Sequence, residues 1–502
     1  MKAFPQSPFR SVYSVQLWNR FLNPIFPDMR YVPAALLLAA CTTAPRTNVA
    51  PATASGEAAT AAYMTSIKDN EPALTVFLRQ MPKGGDLHNH LGGSIYAESF
   101  VKWAAEDGLC LTVTTLTVSP PPCTRAASEI SASEISRDQS LYDRVIDAWS
   151  VRNWNAARRN GHDQFFDTFS KFGMAGDGHM ADMLAEVASR AASQNISYLE
   201  LMIGSNRAHE FSLASKLGNT ATGFAAMRDK LISLGLRDSL AASKKDLDAT
   251  QASMSQKLKC NTASRDKGCD VTVRFLYQVL RGLDPKLVFA QLLAGFEIAR
   301  NDSRFVGINM VMPEDGVVSM RDFRLHMQML DFLHNLYPEV KITLHAGELA
   351  EGLVPPEGLR FHIRESIEQG HALRIGHGTD VMHEDNADEL LKEMAGRSIP
   401  VEISLSSSDV ILGISGARHP IRTYLEHGVP VVLATDDEGV SRTTLTTEYR
   451  RAVQEQSLDY LALKRIVKNS IEFSFAEDSV KSRLTREMDD AFHRFESTPL
   501  SR

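Results

Sequence analysis

With 502 residues, 43% of them apolar and 23% charged, the chain can bury a full core in one large domain or in two to three ordinary ones. A formal charge of −7 with no evident basic face speaks against a nucleic-acid polyanion as partner and favours a small, neutral or cationic substrate.

Met29-Arg30 is followed by a short apolar run, Val32 to Ala40, with small residues before Cys41. This pattern resembles a bacterial lipoprotein signal ending in a lipobox, too short to span a bilayer as a lasting helix. It implies a true start at Met29, cleavage before Cys41, and a lipid anchor on Cys41 that holds the protein to a membrane in the periplasm or at the cell surface. Residues 1–28 are then an upstream extension or a long n-region. Residues 41–60 are small and Pro-containing without periodicity, which reads as a flexible tether. The folded domain is expected over 61–502, opening with a helix at Ala73 to Met81 that leads into the first strand.

From there apolar strand-like runs alternate with helical spacing. The strands are expected at Asp86–His90, Ile196–Ile203, Val271–Val279, Phe305–Val311, Lys341–His345, Ala372–His377, Val401–Leu405 and Val429–Thr435. Helical patterns such as Met180 to Gln194, Pro285 to Ala299 and Met320 to Tyr337 lie between them. Eight such units predict an α/β fold, a (β/α)8 TIM barrel. A doubly wound open sheet is the alternative, but it leaves unexplained why metal-type residues recur at the ends of the first, fifth, sixth and eighth strands. Insertions at about 111–160 and 231–270 depart from a minimal barrel. The first carries Trp149 and Trp154 and is a substrate cover or a passive excursion. Phe165, Phe166, Phe169 and Phe172 follow it at helical spacing and read as core. Four cysteines form sequence-local pairs in polar stretches, Cys110 with Cys123 and Cys260 with Cys269, as expected of stapled loops in an oxidising compartment.

Four short segments carry the chemistry: Asp86-Leu87-His88-Asn89-His90, His345-Ala346-Gly347-Glu348, Gly376-His377-Gly378 and Thr435-Asp436-Asp437. His88 and His90 are two apart, so on a strand they face the same side and grip one ion together. His345 adds a third nitrogen and Asp436 a carboxylate. Neutral imidazoles with a carboxylate suit one Zn2+ per chain with a position open to water, the arrangement of a hydrolase. Glu348, partly desolvated three residues past His345, is a candidate proton donor. His377 is a fourth imidazole ligand or a base that orients the water, and Asp437 is a candidate substrate contact.

Taken jointly, MPKGGDLHNHLGGS, ITLHAGE, RIGHG, VEISLSSSD and LATDDEGVSRTTLTTEY resemble the adenosine deaminases from about Met81 to Tyr449. MPKGG and the cysteine-bearing insertions are more similar to the secreted adenosine deaminase growth factor branch. The resemblance implies a zinc-dependent barrel hydrolase that deaminates adenosine or 2′-deoxyadenosine, with zinc on His88, His90, His345 and Asp436. His377 would help deprotonate the water that attacks C6, Glu348 would protonate N1, and Asp437 would accept a hydrogen bond on the N7 side. The expected partner is thus a small purine nucleoside. The branch also includes dimers, although this chain points to no interface.

The substrate shell departs from the family pattern. Gly92 stands where an acidic residue normally meets the ribose, and Met312 about where a glycine brings a backbone amide to the purine. Ser406, Ser407 and Ser408 all compete for the site-facing position, with Ser407 taken as the substrate contact. A modified adenine nucleoside or another C–N substrate is the second enzyme reading. A surface binding protein without catalysis is the reading of another class, against which the presence of Glu348, His377 and Asp437 argues.

Overall fold

The computed structural model describes residues 56–124, 128–204, 207–218 and 223–498. The expected signal region at 1–40, Cys41 and the tether up to residue 55 lie outside the described residues. Helix α1 (Gly56–Ile67) begins inside the stretch expected as tether. Its alanines favour helix, and Thr60 and Met64 are buried. Helix α2 (Glu71–Gln80) follows, with the Asn70 side chain capping Ala73 and Leu74, Phe77 and Leu78 buried.

The barrel strands are β1 (Gly84–His90), β2 (Ile196–Ile203), β3 (Thr272–Leu280), β4 (Phe305–Val311), β5 (Thr343–Ala346), β6 (Arg374–His377), β7 (Val401–Ile403) and β8 (Val431–Leu433). They form two parallel four-stranded sheets, β1-β2-β3-β4 and β5-β6-β7-β8. Single parallel bridges join the sheets, Ile308 to Ile342 on one side and Asn89 to Asp436 on the other. The ring therefore closes as expected, each strand lying within a residue or three of its sequence-based bounds. Leu199, Phe275, Ile308, Leu344 and Ile403 are essentially inaccessible, which is why these strands read as continuous apolar runs rather than alternating ones.

Both insertions carry disulfides, Cys110–Cys123 and Cys260–Cys269. In the first, Cys110–Thr112 pairs antiparallel with Thr117–Ser119 and Glu129–Ser131. The chain then runs into α3 (Gly161–Phe172) and α4 (Met180–Ser193). The second insertion is mainly α5 (Leu236–Lys257), which packs on α4. The last helix, α6 (Asp478–Ser497), packs on α1. Among the described residues no helix is long and apolar enough to cross a membrane.

Candidate active site

The C-terminal ends of β1, β5 and β8 bring three imidazoles and a carboxylate together. His345 Nε2 lies 3.0 Å from His88 Nε2 and 3.2 Å from His90 Nε2. Asp436 Oδ1 is 3.2 Å from His90 Nε2 and 3.6 Å from His88 Nε2. The other ring nitrogens are spoken for: His88 Nδ1 donates to Glu402 Oε2 at 2.7 Å, and His345 Nδ1 donates to Asn309 Oδ1 at 2.8 Å. The protons of His88 and His345 thus sit on Nδ1, and their Nε2 lone pairs, 3.0 Å apart, repel unless a cation lies between them. Burial lowers the His90 pKa, but the negative charge of the neighbouring Asp437–Asp436 pair holds it up to about 9, so the site attracts positive charge. The donor set fits one divalent metal ion.

This arrangement is fixed from behind. Arg374 donates to Glu402 and, at 2.6 Å, to Glu200. Despite burial, Arg374 and His88 hold the Glu402 carboxyl at about 2, so it stays an anion beneath His88. Gly376 must be a glycine, because a Cβ there would lie 2.7 Å from His88 Cε1. Asp436 adopts φ +61°, leaving the extended conformation of β8, and its amide donates to the His88 carbonyl at 2.9 Å. Ser407 donates to Asp436 Oδ2 at 2.6 Å. The side chain expected to meet substrate therefore orients a carboxylate of the four-donor cluster, because the helix Leu405–Leu412 aims that hydroxyl at the residues after β8.

Glu348, His377 and Asp436 form a second convergent group. His377 stands outside the four-donor set, with Nε2 3.7 Å from Glu348 Oε1, and neither ring nitrogen makes a hydrogen bond among the described residues. Of its two expected roles, the geometry fits the base beside the metal position. Burial pushes the His377 pKa down to about 4, giving a neutral imidazole that can take a proton. Burial, reinforced by Asp436 and Glu314, pushes the Glu348 carboxyl well up, giving an acid that can donate one. Asp437 is buried with Oδ1 unpartnered among the described residues, and its carboxyl is pushed well up by burial. Gly93 makes room for it, since a Cβ there would collide with Asp437 Oδ1 at 1.4 Å.

These groups open into a cavity of about 750 Å³. His90, His345, Glu348, Asp436 and Asp437 line one flank, and Phe165, Phe166, Phe169 and Phe172 of α3 line the other. The phenylalanines are core and cavity wall at once: Phe165 is 2% exposed yet faces the space above the metal position. These phenylalanines follow the first insertion rather than belong to it, and among the described residues none of 111–160 lines the cavity. Gly92 lies exposed at the rim, where an added Cβ would touch nothing, so it offers no side chain to a substrate. Met312 is 36% exposed with φ +93°, a glycine-type backbone, and its carbonyl accepts from Arg281 Nε at 3.2 Å. A larger groove of about 1050 Å³ beside α2 and α6 holds none of these groups.

Sequence reasoning did not single out Glu402, Asn309, Glu200 or Arg374 as supports. A polar residue inside an otherwise apolar strand run, as in Val401-Glu402-Ile403, was the available signal.

A sequence model of one family, described as "Adenosine deaminase", matches residues 234–491. The chain is 32% identical over 167 residues to an adenosine deaminase of Shewanella woodyi, covering 31% of this chain and 46% of that protein. It is 28% identical over 218 residues to a probable adenosine deaminase of Dictyostelium discoideum, covering 43% of this chain and 26% of that one. The matched stretches thus span less than half the length of these curated relatives. Among solved structures, the apo N6-methyl-AMP deaminase of Arabidopsis thaliana shares the fold with a TM-score of 0.55 at 20% identity, covering 84% of this chain and 99% of that one. Arabidopsis ADAL complexed with IMP does so with a TM-score of 0.54 at 19% identity, covering 83% and 99%.

Proposed function

This chain belongs to the adenosine deaminase family, and from that premise we propose that it hydrolyses adenosine or 2′-deoxyadenosine to inosine or deoxyinosine and ammonia. One zinc ion would be held by His88, His90, His345 and Asp436. The observation that carries the reading is the pairing of an acid, Glu348, with a neutral base, His377, 3.7 Å apart and both beside the convergent donors.

When bound, such an ion supplies water made acidic enough to ionise near neutral pH. His377 takes a proton from the attacking water and passes it to the departing amino group. Glu348 gives its proton to N1 as electron density moves onto the ring. The C6–O bond forms and the C6–N6 bond breaks. N1 keeps its proton in the product, and the two protons of water end on ammonia and on Glu348. Asp437 acts as a donor here, not as the acceptor expected from the sequence, because purine N7 carries a lone pair and burial favours the protonated carboxyl.

In purified protein loaded with zinc, absorbance near the adenosine maximum should fall with either nucleoside and stop falling on chelation. Glu348→Gln should abolish turnover with metal content unchanged, and a fully active variant would remove the proton-donor role. The two disulfides suit an oxidising compartment and support the reading of a lipid-anchored protein of the periplasm or cell surface. Membrane-extracted protein should then begin, by mass spectrometry, at a lipid-modified Cys41.

A further inference from the structure

The two flanks of the cavity differ in chemistry because they come from different strands. Reacting groups sit at the ends of β1, β5 and β8, whereas β2, β3, β4 and the residue after β4 present Met202, Ile203, Leu280, Val311 and Met312, with Gln278 of β3 as the polar member beside His90. Helices α3 and α4 roof this second flank with phenylalanines and with Met180 and Met183. Thioethers are polarisable and adaptable, and they pack well against apolar groups and sulfur. Outside the reacting flank, Asp177 is the one ionisable group that lines the cavity among the described residues, and no lysine or arginine lines it among them.

The pose of a purine follows from the reading of the site as a purine deaminase, on which this inference rests. With C6 at the metal position, N1 at Glu348 and N7 at Asp437, N9 lies on the opposite edge of the bicyclic ring. Whatever N9 carries must enter the methionine- and phenylalanine-lined flank. A 5′-phosphate would bring about two negative charges into a mostly apolar space whose one ionisable lining residue outside the reacting flank is the acid Asp177, with no lysine or arginine in the described lining to offset desolvation. An uncharged apolar group would instead remove methionine and phenylalanine surface from water. The volume is generous for adenosine, at about 750 Å³. We propose that this cavity selects adenine nucleosides whose 5′ position bears an uncharged apolar substituent, such as a thioether, over adenine nucleotides.

The test compares kcat/KM of the zinc-loaded protein for adenosine, 5′-deoxy-5′-methylthioadenosine and AMP. The methylthio compound should match or exceed adenosine by up to about tenfold, and AMP should fall at least about 100-fold below it. Met180→Lys should narrow the gap between the methylthio compound and AMP by about tenfold or more, with Met180→Gln as the control for folding. Should Met180→Lys not fold, the wild-type ratios alone decide. AMP turned over as well as adenosine, or the methylthio compound at a tenth of adenosine or less, would overturn the specificity while leaving the deaminase reading intact. Absence of turnover with all three, in protein holding stoichiometric metal, would overturn both.

Discussion

Glu314 fixes the loop that carries the acid, using both oxygens of one buried carboxylate. It accepts from the amides of Gly347 at 3.1 Å and Glu348 at 2.8 Å, and from His362 Nδ1 at 2.5 Å. Despite burial, His362 and Arg281 hold its carboxyl at about 2, and its charge in turn helps keep Glu348 protonated. Replacing Glu314 by Gln removes that charge and one acceptor, so Glu348 should shift. A displacement near 1 Å costs about 100-fold in kcat, and metal content should not change. His362→Asn, which keeps a donor, should retain more activity than His362→Phe. Equal kcat in both, or loss of metal in either, would show that the bracket does not act on Glu348. Glu348 was legible from the sequence because it lies three residues past His345 of the four-donor cluster. Glu314 was not, since its partners lie 33 and 48 residues further along the chain and meet it only through barrel closure. The role of Ser407 was hidden for a similar reason: the phase of a helix that starts at Leu405 decides which of three serines faces Asp436.

Helix α3 is tied across the cavity mouth by His162, whose Nε2 lies 3.0 Å from Asp315 Oδ1 on the loop after β4. Its pKa is raised, chiefly by the Asp315 hydrogen bond and further by Asp163. A histidine whose folded pKa is raised contributes fully below its unfolded pKa of about 6.5, and that contribution is lost as pH rises through the folded value. With the two side chains 15% and 18% exposed, the tie is worth about 0.5–1 kcal/mol. KM should therefore rise about two- to fivefold in the wild type between pH 6 and 9. In His162→Ala it should start high and lack that part of the pH dependence. Parallel KM profiles for the two proteins would refute the tie. The barrel strands were legible because burial on both faces leaves apolar runs bounded by helices. The small sheet at 110–131 was not, because three-residue strands carry no periodicity and their pairing depends on surrounding structure.

Over the whole described fold, each half of the ring holds part of the ligand set. His88 and His90 belong to β1 in one sheet, His345 to β5 and Asp436 to the loop just after β8 in the other half, and backbone pairing across each seam is a single bridge. An ion bound only by the closed ring stabilises it by about 4 kcal/mol at a free concentration 1,000 times Kd. Chelation should thus lower the melting temperature by several degrees in calorimetry and speed amide exchange at His90 and Asp436, whose backbones pair across the seam. An unchanged melting temperature would mean that the ion does not hold the halves together. The convergence of His88, His90, His345 and Asp436 was legible from sequence because strand ends in a barrel converge on one mouth. The seams were not, since they depend on where strand pairing thins to one residue.

Since neither sheet owns a complete set of donors, a chain with one half formed has no place to capture the ion. An ion that needs all four donors would therefore be captured only after the ring has closed, so occupancy of the site would report completed assembly.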